Sequence, residues 1–397
     1  MRPCGLRPRF FSRFPRDYTV KKALTNLAVL CVTVLGMCIL SEGILRSFVH
    51  RLPLEYQAYL QSPLKVLAQG SKVGPLPRDY VLVLGDSYAQ GAGDWMLSAD
   101  KWKNPSFNTQ SVLHEITGGD FLSFGQGGAG SLDSLAVLPE VYRRFFTSTP
   151  MYKLDPPKKI IAFFYEGNDL ADNIRSIDSW YRPQYDESRM GESDYFSGFV
   201  EDRVRSSAKF RWWNRWLFTE FIFNLTQKIL GKVKTGGQPD RSSPNDHIEI
   251  RLNGQIHVIR HQMDAVIADL PATRVREALS LFQSSLRDLM TRNPQVEVTV
   301  VYIPAALSIY DVVSEKVSVF TIKSRGAVLD FRNVRAASDN VRRSVREIVL
   351  SEKADFIDPT EELRTVASVE MIHGPRDWLH FNEKGYRTIS RILASRI

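Results

Sequence analysis

The sequence predicts an α/β fold, a mostly parallel sheet with helices on both faces, behind one N-terminal transmembrane helix. Three observations carry that expectation. Short continuous apolar runs stop at glycine-rich turns, as buried parallel strands do. Amphipathic helical patterns lie between those runs. An uncharged stretch of eighteen residues follows a basic N-terminus.

Tyr80–Leu84 (YVLVL) is the first expected strand, ended by Gly85. Phe121–Phe124, Lys159–Tyr165 and Val296–Ile303 follow, and Asp355–Asp358 is a fifth. Between them, Arg274–Arg292 carries Val275, Leu279, Phe282, Leu286 and Leu289 at near-helical spacing, and Asn333–Leu350 and Asn382–Arg396 read similarly. Alternation of this kind implies parallel strands joined by helical crossovers, with the site outside the carboxyl ends of the strands.

Residues 175–265 break the rhythm and read as an insertion. They hold Trp180, Tyr181, Trp212, Trp213 and Trp216, then SSPND and the strand-like IEIRLNGQIHVIR. Phe210–Leu230 fits a helix packed on the body, the expected reading, or one lying on a membrane surface.

Ala23–Leu40 is the apolar stretch, and Ile44-Leu45 extends it. Arg2, Arg7, Arg9, Arg13, Arg16, Lys21 and Lys22 precede it, which places the N-terminus in the cytoplasm and everything from about Ser47 onward outside, in the periplasm if the source is bacterial. No A-x-A site follows, so an uncleaved single-pass anchor is expected over a cleaved signal peptide. Met37 argues against a lipoprotein site at Cys38, and the charge asymmetry argues against a buried core helix. Residues 1–22 thus read as a basic cytoplasmic tail, 23–45 as the transmembrane anchor, 46–78 as a juxtamembrane linker and 79–397 as one domain.

The 397 residues are 43% hydrophobic and 24% charged, an ordinary globular composition. Cys4, Cys31 and Cys38 all lie within the first 40 residues, so neither a disulfide framework nor a cysteine-based metal site is expected downstream. Much of the net charge of +8 belongs to the N-terminal cluster, and no zinc-finger spacing or basic stripe accompanies it; nucleic acid is not an expected partner.

Each strand end delivers a cluster of chemically capable residues: Gly85-Asp86-Ser87-Tyr88, Gly125-Gln126-Gly127-Gly128-Ala129-Gly130, and Glu166-Gly167-Asn168-Asp169. Asp377-Trp378-Leu379-His380 comes near the C-terminus. A serine hydroxyl is a weak nucleophile and needs a base, which His380 can supply; Asp377, three residues earlier, can hold the imidazole tautomer. Acyl transfer also needs donors facing the oxyanion, each worth ~3–4 kcal/mol in the transition state. The backbone N–H groups of Ser87 and Gly127 and the Asn168 amide are available, with Gly128 a second choice for the glycine. Asp86 and Asp169 read as loop-bracing acceptors, His373 as a solvated loop histidine and His114 as structural. His257 and His261 fall on a strand-like pattern, and no metal site or cofactor is expected.

GDSY, the glycine cluster with Gly127, GND and DWLH resemble blocks I, II, III and V of the SGNH (GDSL-type) hydrolases, in the same order. The resemblance spans about residues 79–172 and 296–397. It implies a flavodoxin-like three-layer α/β/α sandwich, Ser87 as nucleophile, His380 and Asp377 as base and acid, and an oxyanion hole of Ser87, Gly127 and Asn168. Two positions depart from the pattern: Gly125 stands where block II often has Asn, and Glu166 where block III often begins with Gly. The implied activity is a serine esterase acting on O-acyl, foremost O-acetyl, esters of an extracytoplasmic carbohydrate or lipid. An O-acetyltransferase acting on an envelope polysaccharide and a catalytically inactive membrane-anchored binding or assembly module are the alternatives. No D-x-H motif precedes Ser87, which favours hydrolysis over transfer. An α/β-hydrolase elbow is disfavoured, because G-x-S-x-G lacks its last glycine here and Asp377 and His380 are neighbours.

Overall fold

The computed structural model describes residues 16–52, 60, 63–68, 71–93, 107–148, 152–208, 216–230, 247–268, 270–320 and 325–397. Trp212, Trp213, SSPND and the arginines before Arg16 lie outside them.

Five strands form the central sheet: β1 (Tyr80–Leu84), β2 (Asp120–Ser123), β3 (Lys159–Tyr165), β4 (Glu297–Ile303) and β5 (Asp355–Ile357). Their order is β5-β4-β3-β1-β2, and every neighbouring pair is parallel. All five residues of β1 are buried, which is why that strand reads as an unbroken apolar run and not as an alternation. Helix Thr109–Thr117 packs against Glu383–Ala394 on one face. Leu138–Thr147, Asp169–Ser176, Ala272–Arg292 and Phe331–Ser351 lie on the other. In Ala272–Arg292 the stripe Leu279, Phe282, Leu286 and Leu289 is buried against the sheet, as its spacing requires. The result is a three-layer α/β/α sandwich. Its strand order reverses between β1 and β3, and that crevice is where such sheets hold ligands.

The N-terminal helix runs Arg16–Phe48, and its apolar part has none of its surface buried in the body. It is long and apolar enough to cross a bilayer, as a single-pass anchor or a signal sequence. The stretch after it packs on the body: Val49, Leu60, Leu64, Val66, Leu67 and Ala68 are core residues.

Between β3 and Ala272–Arg292 come helices Ser193–Ser207 and Leu217–Ile229 and a hairpin, Ile248–Leu252 with Gln255–Ile259, turned by Asn253 and Gly254 at positive φ. Tyr181, Phe196 and Phe199 of this region form a buried aromatic cluster. Three strands at Asp311–Val312, Lys316–Phe320 and Arg325–Asp330 had no counterpart in the sequence reading. They join residues of the inserted region, Asp311–Val312 pairing with Ile248–Leu252 and Lys316–Phe320 with Met263–Asp264.

Candidate active site

Beyond Leu84 the chain must turn hard against β3. Gly85 does so at φ +146°, where a Cβ would stand 2.9 Å from that of Phe163. Only glycine tolerates both the dihedral and the contact. Asp86 then caps the one-turn helix Ser87–Gln90, its Oδ1 accepting the Tyr88 N–H at 2.9 Å. Ser87 thereby stands at the carboxyl end of β1, on the β1–β3 crevice.

From the far end of the chain a second loop meets it. The Asp377 carboxylate accepts the N–H groups of Leu379 (3.0 Å) and His380 (3.3 Å) through Oδ1, and its Oδ2 lies 2.7 Å from His380 Nδ1. Nε2 of the same imidazole lies 2.8 Å from Ser87 Oγ. With Nδ1–H donating to the carboxylate, Nε2 is the acceptor for the serine proton. Ser87 Oγ also lies 3.3 Å from Asp86 Oδ2, a longer and weaker contact. All three side chains are more than nine-tenths buried.

Two tyrosines hold this loop. The Tyr88 hydroxyl donates to the Leu379 carbonyl at 2.6 Å, and its ring lies 5.4 Å from that of His380. The Tyr165 hydroxyl donates to Asp264 at 2.6 Å. Gly167 leaves room for that pair, since a Cβ there would fall 2.5 Å from the Tyr165 hydroxyl. The sequence reading named Tyr88 beside Ser87 without giving it a role, and it did not single out Tyr165 or Asp264 for the site. Tyr88 adjoins Ser87, but Asp264 closes the inserted region and no motif marks it.

The carboxylates of Asp377, Asp86 and Asp264 act on the imidazole. Burial pulls the His380 imidazolium down, but the Asp377 hydrogen bond and the carboxylates of Asp377, Asp86 and Asp264 outweigh it, so its pKa is raised above the ordinary 6.5. Burial would raise Asp377, but the His380 hydrogen bond and charge, with two backbone N–H groups, hold it below the usual carboxylate range. Asp86 is raised by burial, against the stabilising Tyr88 N–H, His380 and Asn168. Burial, with Asp86 and Asp172 nearby, pushes Asp169 well up and favours its neutral form; its Oδ2 accepts the Tyr165 N–H at 3.0 Å, the bracing role expected of it.

The glycine loop after β2 faces Ser87 from the other side. A Cβ on Gly127 would lie 3.8 Å from Ser87 Cβ, so that residue borders the serine. Its N–H is engaged, donating to Gln90 Oε1 at 3.0 Å. Gln90 was not singled out from the sequence. It stands three residues after Ser87, one helical turn on, and that spacing is the signal that could have found it. Gly125 has a steric reason for departing from asparagine: any Cβ there would come within 2.3 Å of the Gln90 nitrogen. Asn168 sits at the start of helix Asp169–Ser176 without capping it, its Nδ2 toward Asp86 and its Oδ1 buried without a partner. Glu166, the other departure, is fully buried and ties β3 to the chain beyond β4: it accepts the Ala305 N–H (3.1 Å) and the Ser308 hydroxyl (2.7 Å). A glycine could not make that tie.

His373 is corrected by the structure: it is buried, not solvated. The Tyr310 hydroxyl accepts the Ile372 and His373 N–H groups, both at 3.0 Å, and gives its own proton to His373 Nδ1 at 3.1 Å. Burial outweighs the Asp377 carboxylate and pushes the imidazole down to about 3. The sequence hid this because the packing Tyr310 lies 63 residues away. His114 packs structurally, its Nδ1 on the Gly119 carbonyl at 2.7 Å, and His257 lies on a strand. Among the described residues no group of three metal-ligating side chains converges.

No family model matches the chain, and no curated protein matches it in sequence. Its fold is similar to solved structures at low identity. An acetyl xylan esterase from the rumen bacterium Butyrivibrio proteoclasticus is 13% identical at a TM-score of 0.35, with 82% of this chain covered. The chain spans only 64% of the length of that esterase. An extracellular lipase from Streptomyces rimosus is 14% identical at a TM-score of 0.38, covering 81% of this chain and 100% of its own. A phospholipase A1 from Streptomyces albidoflavus NA297 is 12% identical at 0.36, covering 80% and 99%.

Proposed function

We propose that the chain is a membrane-anchored serine esterase of the SGNH (GDSL-type) family, hydrolysing O-acyl, foremost O-acetyl, esters of an extracytoplasmic carbohydrate or lipid. The single observation that carries this reading is the hydrogen-bonded chain from Ser87 Oγ through His380 to Asp377, at 2.8 and 2.7 Å, on the carboxyl edge of a parallel sheet.

The chemistry follows from that chain. Ser87 Oγ attacks the ester carbonyl carbon as His380 Nε2 takes its proton. The imidazolium formed is stabilised by the Asp377 carboxylate, which stays ionised. The carbonyl oxygen becomes an oxyanion and is met by the Ser87 N–H, which has no intrahelical acceptor in the first turn, by the Asn168 amide, and by the Gly127 N–H once Gln90 releases it. Collapse expels the alcohol, which takes the proton from His380. Water then attacks the acyl-enzyme carbonyl as His380 takes its proton; the bond from the carbonyl carbon to Ser87 Oγ breaks, Oγ takes that proton back from His380, and the acid leaves.

A serine-directed fluorophosphonate tests the reading. The wild-type protein is expected to be labelled and Ser87→Ala unlabelled. A folded wild type that stays unlabelled would replace this reading with a binding or assembly module.

A further inference from the structure

The last turns of the N-terminal helix touch the body, and what they touch is helix Leu217–Ile229 and the segment that leads into β3. Glu42, buried in that contact, accepts the N–H groups of Leu217 (3.0 Å) and Phe218 (2.7 Å), capping helix Leu217–Ile229 from outside it. Arg46, paired with Glu42, lies over the rings of Tyr152 (4.6 Å) and Trp216 (5.9 Å). Tyr152 belongs to the segment that enters β3 at Lys159, and it packs on Phe146 in the last turn of helix Leu138–Thr147. Farther along, Ser71 exchanges hydrogen bonds with Phe121 and the Val73 N–H donates to Asp120, at the start of β2. Where these contacts reach the sheet, at Asp120 and Phe121 of β2 and through Tyr152 ahead of β3, they are at the amino end of the strands.

Ser87, Gly127 and Asn168 follow the carboxyl ends. The seven residues of β3 alone separate the two ends by about 20 Å at ~3.3 Å per residue. Helix Leu217–Ile229, held on the anchor by Glu42, leaves Ile222 (42% exposed), Phe223 (58%) and the following Leu230 (59%) uncovered. Apolar surface continuous with a membrane-crossing helix has the same natural solvent, the lipid interface.

We propose that the bilayer meets the molecule at the amino end of the sheet, through the N-terminal helix and the uncovered edge of Leu217–Ile229, and that the Ser87 cleft opens away from it. The cleft then takes an ester carried on a carbohydrate or other water-borne carrier, not a lipid of the host bilayer. This substrate statement rests on the esterase reading, whereas the placement does not.

Both parts are testable on the full chain in nanodiscs. With Cys4, Cys31 and Cys38 replaced by serine, single donor dyes are attached through Lys153→Cys, Phe223→Cys or Gln126→Cys, with acceptor dye on the lipid headgroups. Energy transfer is expected to be higher at 153 and 223 than at 126; equal transfer at all three, or the reverse order, overturns the placement. In the unlabelled wild type, acetate release from soluble acetylated xylo-oligosaccharide without fatty-acid release from the nanodisc phospholipid supports the substrate statement. Fatty-acid release from that phospholipid overturns it. Silence on both substrates with no fluorophosphonate labelling sinks the esterase reading and the substrate statement with it, and the transfer measurement still decides the placement.

Discussion

The two sides of the Ser87 cleft are built differently. On one side Asp377, His380 and Ser87 are buried and already joined by short hydrogen bonds, with Tyr88 fixing the loop through the Leu379 carbonyl. On the other, Gly127 is exposed and its N–H is committed to Gln90. In the proposed mechanism the proton-transfer side is preassembled, and the charge-stabilising side must exchange a partner when a substrate carbonyl arrives. Preassembly costs little on the first side because its groups satisfy one another. An oxyanion donor has no such partner until the reaction begins, so a neighbouring acceptor takes it.

That contrast can be broken by substitution. Asp377→Asn removes the acceptor that sets the His380 tautomer, and kcat is expected to fall about 10⁴-fold while the fold is kept; a loss below tenfold would mean the imidazole is held by something else. Asn168→Ala should lower kcat about 10²–10³-fold with KM nearly unchanged, since the amide acts on charge that exists only in the transition state. A raised KM at constant kcat would move Asn168 to substrate binding.

Acid should silence the preassembled side. His380 must be neutral to act as base, and its raised pKa means activity is lost as pH falls through a midpoint above 6.5, tenfold per pH unit below it. His373, at about 3, stays neutral across that range and contributes nothing to the limb. A kcat/KM profile flat from pH 5 to 8 would contradict a histidine base.

The smallest effect is expected at Gln90. Gln90→Ala frees the Gly127 N–H from a neutral hydrogen bond worth about 1 kcal/mol, so kcat/KM should rise up to about fivefold. A fall would recast Gln90 as a strut for the glycine loop and remove the asymmetry between the two sides.

Much of this was legible in the chain. Strand β1 announced itself because a strand buried on both faces has to be apolar at every position, and Gly85 marked the turn because no other residue reaches its dihedral. Ser87, Asn168, Asp377 and His380 stood out because each falls at the end of a strand or the start of a helix. Sequence alone therefore determined the layers, the apolar N-terminal helix and the identity of the chemically capable groups, all consequences of local pattern. The tertiary structure decided which groups meet. It alone brought His380 to Ser87 across 293 positions, buried His373 under Tyr310, gave the Gly127 N–H to Gln90 and set Arg46 of the N-terminal helix over Tyr152. Local pattern reports which face of an element is buried; contacts between loops far apart in the chain depend on how whole elements pack, and no short window of residues carries that.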